Sequence, residues 1–202
     1  MKVILSLAMA VTVFASSSLM AIEEAKYRVV LKDGPIEIRD YEPSIVAETV
    51  VSGEFEDAGD SAFRRLFRYI DGNNVSQEEI AMTAPVSQGR SEKIAMTSPV
   101  GQQSAPGGWA VSFMMPASYT METIPEPKDD SVAIRQIPAY RAAAIRYSGF
   151  WSEKNYQEHL AELNAWLDAR DYRRSGEPVW ARYDAPFKPW FMRRNEILIA
   201  VR

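Results

Sequence analysis

The chain has 202 residues, 47% of them hydrophobic and 25% charged, with 23 basic against 27 acidic side chains and a formal net charge of −4. Such a length allows one domain or two small halves and buries enough surface for a core without staples. The average composition excludes disordered, collagenous and coiled-coil chains, and dispersed, mildly acidic charge offers no patch for a nucleic acid. Cysteine is absent, which excludes disulfides, thiolate metal sites, iron–sulfur clusters and a cysteine nucleophile.

The first 21 residues read as a secretory signal peptide. Met1-Lys2 gives a short positive start, Val3 to Phe14 an apolar run, and Ala15-Ser16-Ser17-Ser18 the small residues before cleavage, placed after Ala21. The apolar run is shorter than the roughly 20 residues that span a bilayer. A periplasmic protein is expected, with a mature chain (22–202) that is free of the membrane and folds as one domain.

The mature chain repeats at a spacing of 96 residues. Ile36-Glu37-Ile38-Arg39 aligns with Val132-Ala133-Ile134-Arg135, Val51-Ser52-Gly53 with Tyr147-Ser148-Gly149, and Phe55 with Trp151. Each copy reads as a strand, a turn holding Pro43 or Pro138, a second strand and then a helix. In the first helix Phe63, Leu66, Phe67 and Ile70 follow the helical period, with Arg64, Arg65 and Arg68 on the other side. Strands are expected over 80–86, 94–100 and 109–115, a turn or loop over 101–108 and a linker over 125–130. In the second helix Tyr156, Leu160, Leu163 and Leu167 form the stripe, and strands follow over 179–183 and 197–201. The expected fold is α+β: two pseudo-twofold β-β-α-β-β halves, about 27–124 and 131–202, joined in a twisted antiparallel β-barrel flanked by two helices.

A shorter repeat lies inside the first half. Ile80-Ala81-Met82-Thr83-Ala84-Pro85-Val86 recurs as Ile94-Ala95-Met96-Thr97-Ser98-Pro99-Val100. It reads as two extended arms across a hairpin, each bent or at an edge where proline removes a donor. This doubled segment resembles the SOUL haem-binding family. Pro35 to Tyr41, Phe63 to Asn74 and Lys188 to Glu196 resemble that family's opening strand, first helix and closing signature, so the resemblance covers about 27–202.

The resemblance implies reversible, non-covalent binding of haem or another tetrapyrrole in a shallow cleft beside the first helix. It nominates Phe63 and Phe67 as an apolar wall, and Arg68 and Lys188 as cations for the ligand carboxylates. A porphyrin needs such a set, though Phe63 and Phe67 also read as ordinary core and Arg68 as a solvated face. Where the family's haem binder carries a further helix cation this chain has Asp60, which opposes a carboxylate. The one histidine, His159, is the candidate iron ligand; by the repeat it is the counterpart of Phe63, and it reads equally as a boundary residue. The histidine that one branch of the family places in the second strand falls here near Val46, which cannot ligate. Met82, Met96, Met114, Met115, Met121 and Met192 offer thioethers, which more often fill core space.

Glu196 has two readings: a partly buried ion pair pinning the last strand, or a cleft carboxylate. The second defines the alternative function, a hydrolase or binder of another flat apolar molecule, with Tyr183 and Trp180 beside Glu196. No motif requires catalysis, and no heptad calls for a partner, so a monomer is expected.

Overall fold

The computed structural model describes residues 22–77 and 91–202. The predicted signal segment and the arm over 80–86, with Met82, lie outside the described residues. Nine strands form one antiparallel sheet. They are β1 Tyr27–Asp33, β2 Ile36–Tyr41, β3 Ser44–Val51, β4 Val100–Ala105, β5 Gly108–Met114, β6 Ala133–Ile137, β7 Tyr140–Tyr147, β8 Val179–Arg182 and β9 Asn195–Ala200. Helix α1 is Phe55–Ile70 and α2 is Glu153–Asp168.

The strand order is β6-β3-β5-β4-β8-β9-β7-β2-β1. Its ends are unpaired edges, so the sheet is a curled half-barrel. Without the extra edge strand β1, the order is symmetric about the β4–β8 seam: the 96-residue repeat exchanges β2 with β6 and β3 with β7, and the strand order exchanges the pairs after each helix. The first strand of each half is given to the other half. Ile45 of β3 faces Gln136 of β6, and Asp40 of β2 faces Arg141 of β7; a shift of 96 interchanges these two pairs. The two halves are therefore interlocked by hydrogen-bonded ladders, not merely packed.

Alternation along the strands divides the core. α1 packs on β3 and β5, burying Ala58, Ala62, Leu66, Tyr69 and Ile70 against Ala47, Val111 and Phe113. α2 packs on β7 and β9, burying Tyr156, Leu163 and Leu167 against Ile145, Ile197 and Ile199. Tyr41, Ala142, Ala144 and Leu198 lie on the opposite sheet face. The two helices start differently. Ser152 caps α2 by accepting from the Asn155 amide, whereas Glu54 makes no side-chain cap at α1.

Several expectations are corrected. The core stripe of α1 runs through the small Ala58 and Ala62 rather than through Phe63 and Phe67; Phe63 is half-buried at its edge and Phe67 is 42% exposed. Phenylalanine at both positions satisfies the period, but Ala58 and Ala62 take the line facing the sheet in the first turns, Leu66, Tyr69 and Ile70 continue it, and Phe63 and Phe67 fall to its side. The stretch 101–108 is not a loop: β4 and β5 form a tight hairpin there. Gly108 makes this possible at φ +140°, because a Cβ would stand 2.2 Å from the Val51 carbonyl oxygen. The stretch 125–130 is not a free linker, since Glu126–Pro127 pairs with Asn74–Val75.

Interlocked halves predict one cooperative transition. Leu66→Ala is expected to cost about 2–5 kcal/mol in urea unfolding. Far-UV circular dichroism and tryptophan fluorescence should move together, although Trp180 belongs to the other half. Two separated transitions would contradict the interlock.

Candidate functional site

A cleft of about 280 Å³ opens on the helix side at the β4–β8 seam. α1 supplies Gly59, Asp60, Phe63 and Arg64; the segment leading into β4 supplies Met96 and Val100. Trp151, just ahead of α2, and the chain from Arg182 to Pro186 close the other side. The local sequence explains this composition. Positions 59, 60 and 63 follow the helical period on one flank of α1, and β8 alternates so that Trp180 and Arg182 point to the helix side.

The apolar wall is well supported. Phe63 meets Phe113 edge-on at 5.2 Å and stacks on Phe67 at 6.1 Å. Phe67 thus props Phe63 from outside the cleft lining. Below the seam, Phe55 stacks on Trp180 at 4.8 Å and on Tyr156 at 5.3 Å, giving a rigid aromatic floor.

The polar groups are distributed unevenly. Arg182 lies part-buried at the cleft floor, its Nη2 donating to Gln102 Oε1 at 3.3 Å. Its Cζ lies 4.7 Å from the Trp180 ring and 5.5 Å from that of Trp151. Burial holds its guanidinium below the usual arginine value, and the charge of Asp60 works the other way. Lys188 is paired with Asp184 at 2.6 Å, and Asp184 also accepts from the Arg194 amide. Asp184 lines the cleft whereas Lys188 does not, and Arg68 stands exposed on α1 away from the lining.

His159 is not brought to this cleft. Its ring stacks on Tyr147 at 4.0 Å and its Nδ1 contacts the Asn155 carbonyl oxygen at 2.8 Å. Nor is it the counterpart of Phe63. In the helices the buried positions coincide at a spacing of 97, Leu66 with Leu163 and Ile70 with Leu167, which matches His159 to Ala62. Among the described methionines, Met96 is the one that lines the cleft. Among the described residues no cluster of His, Asp or Glu could hold a bare metal ion.

Glu196 occupies the other sheet face and is 0% exposed. Arg39 donates to both its oxygens, at 2.7 and 3.1 Å, Arg194 Nε donates at 3.0 Å, and the Tyr183 hydroxyl donates at 2.9 Å. Arg39 also pairs with Glu37 at 2.9 Å. Burial alone would lower Arg39; its hydrogen bonds and the Glu196 charge hold it above its ordinary value. Burial and the same carboxylate push the Tyr183 phenol far up, so it stays a donor. The small Ala142 and Ala144 of β7 let Arg39 reach across from β2 towards β9. Every accepting direction of Glu196 is used, and no water reaches it. This is the ion pair that pins the last strand, not a cleft acid–base. Trp180, proposed beside it, faces the opposite side of the sheet.

A second hollow, about 360 Å³, lies where the β2–β3 and β6–β7 turns cross. It is larger, but Glu23, Glu24, Glu42 and Glu122 line it with Lys26 as its one cation, so it disfavours an anionic guest.

Sequence reasoning passed over Arg182, Gly59 and Trp151 as members of the cleft. A signal existed for the first: in Val179-Trp180-Ala181-Arg182, alternation puts a cation on the same face as a buried tryptophan.

The model of the SOUL heme-binding protein family matches residues 22–200. The chain is 29% identical to "Heme-binding protein 1" of Xenopus tropicalis over 168 residues, 82% of this chain and 84% of that one. It is 27% identical to "Heme-binding protein 2" of Homo sapiens over 173 residues, 81% of this chain and 80% of that one. Among solved structures, the EcmrR C-terminal domain superposes with a TM-score of 0.54 at 12% identity, covering 87% of this chain and 98% of that domain. A hydrolase from Listeria innocua superposes with a TM-score of 0.52 at 11% identity, covering 86% of this chain and 94% of its own. At such identities these two share the fold alone.

The Glu196 geometry yields a stability prediction. Glu196→Gln leaves buried cations without their shared counter-charge and is expected to cost roughly 3 kcal/mol in urea unfolding. An unchanged midpoint would show that the pair does not pin the strand.

Proposed function

This chain belongs to the SOUL heme-binding protein family, and from that premise we propose that it binds haem or a related tetrapyrrole reversibly in the cleft beside α1. The observation that carries the reading is the cleft's composition: a flat aromatic and aliphatic wall from Phe63, Met96, Val100 and Trp151, with cations at its floor and rim. A porphyrin is a flat apolar disc with two carboxylates on one edge, and clefts of this kind hold such ligands. The cysteine-free sequence leaves no thiol for covalent attachment of the c type, so the binding is non-covalent.

The residues divide the work simply. Phe63, propped by Phe67, covers one face of the ring and excludes water from it. Met96 lines the cleft and carries a thioether, a group able to ligate haem iron. His159, occupied with Tyr147 and Asn155, does not meet the ligand. Bound haem supplies a redox-capable iron; the chain supplies a shallow, partly open seat, suited to carriage, buffering or sequestration rather than turnover. Arg68 and Lys188 lie beyond the lining and act at longer range on the carboxylate edge. The signal-like first 21 residues support export to a periplasm, and a monomer suffices for this site.

The hydrolase reading loses its acid–base, because Glu196 is buried in its ion-pair network on the far face. Haemin titration followed by Soret absorbance tests the proposal. Saturable one-to-one binding is expected, weakened about tenfold or more by Phe63→Ala, the loss of about 1.4 kcal/mol of apolar contact, and unchanged by His159→Ala. Absence of saturation at micromolar haemin would overturn it.

A further inference from the structure

Arg182 is an arginine without an ion-pair contact among the described residues. Among the described residues no carboxylate comes within ion-pair distance of it, and its only protein acceptor is the neutral Gln102 amide at 3.3 Å. Among the described residues its Nε, sealed from solvent, has no acceptor. Nη1 likewise has no acceptor among them, and Arg182 lines the cleft. Leaving a charged donor unsatisfied is costly, and such groups persist where something outside the chain completes them.

The surroundings keep the guanidinium in this position. A Cβ at Gly59 would stand 2.9 Å from Nη2 and 3.0 Å from Nη1 of Arg182, so glycine there is what lets the charge lie against α1. Glycine inside a helix lowers its stability relative to alanine, and the space it leaves is filled by Arg182. In α2 the spacing of 97 matches Gly59 to Tyr156, a buried aromatic, so the second half has no equivalent opening. The rings of Trp180 and Trp151 hold the cation by their faces where no carboxylate does. Gln102 is itself anchored, donating to the Phe55 carbonyl oxygen at 2.7 Å.

We propose that Arg182 is the anchor for one carboxylate of the cleft's ligand, its Nη1 donating to that group at the cleft floor. The inference rests on the tetrapyrrole reading and adds the residue that orients the ring. A charged guanidinium N–H makes a strong contact with a carboxylate, and desolvation strengthens it. Asp60, on the rim of the same cleft, favours the charged guanidinium but repels a carboxylate, so one carboxylate meets Arg182 and the other is turned away from Asp60.

The test compares haemin with haemin dimethyl ester, which keeps the ring and iron but loses the carboxylate charges. Wild type is expected to bind haemin at least tenfold more tightly than the ester, about 1.4 kcal/mol. Arg182→Gln should bring haemin to the ester's affinity while leaving ester binding unchanged. Gly59→Ala should erase the preference in the same way, because its Cβ displaces the guanidinium; circular dichroism and urea midpoints report whether each variant is folded. Equal weakening of both probes by Arg182→Gln would make the residue merely structural and overturn the proposal. Equal binding of both probes by wild type would overturn the assignment and leave the haem reading standing; should the variants not fold, this comparison alone decides. Binding of neither probe would overturn the haem reading and this inference with it.

Discussion

The exchange of first strands is the constraint on which the rest of the molecule depends. β2 closes the ladder of the second half on β7, and β6 closes that of the first half on β3. Neither half can complete its sheet alone. The single curled sheet that results puts both helices on one face and leaves a seam between β4 and β8 at the pseudo-twofold position. Along that seam Val100 faces Arg182 and Gln102 faces Trp180. The ligand cleft is thus a consequence of how the halves join, not an addition to either.

Two polar systems lie on opposite faces of the sheet and do different work. On the face away from the helices, Glu196 is saturated by Arg39, Arg194 and Tyr183, and the network ties β9 across β7 to β2. A buried, fully partnered carboxylate of this kind specifies strand position more than it adds stability. On the helix face, Arg182 is held by aromatic rings and an uncharged amide. The contrast separates the two systems: the satisfied network holds the sheet, and Arg182 is the cation we propose for the ligand. The break in symmetry serves the same end, since Gly59 opens in one helix the space that Tyr156 fills in the other.

Much of this was legible in the sequence. The 96-residue repeat located both strand pairs, with β3 and β7 falling 96 residues apart at each end. The last two strands came within a few residues, both helices lie where the period put them, and Phe63 lines a cleft beside α1. What could not be read was depth. Period alone does not say which line of a helix faces the sheet, so Phe67 looked like core although Ala58 and Ala62 hold that line. Spacing likewise misaligned His159 by one position, because the approach to α2 over 148–152 is longer than that to α1 over 52–54 and the helices do not keep the 96-residue register. Arg182 was overlooked because a single arginine at a strand end resembles a surface charge. Only the tertiary neighbours, Gly59 and two tryptophans, show that it is enclosed.

The central claim is the place of the ligand on the seam, and amide chemical-shift mapping with a diamagnetic metalloporphyrin, zinc protoporphyrin, tests it most directly. The account predicts saturable shifts concentrated at Gly59, Phe63, Met96, Val100, Trp151 and Arg182, with Tyr147 and His159 little changed. Shifts centred instead on Tyr41, Met114 and Tyr140, around the acidic hollow, or on His159 would contradict it.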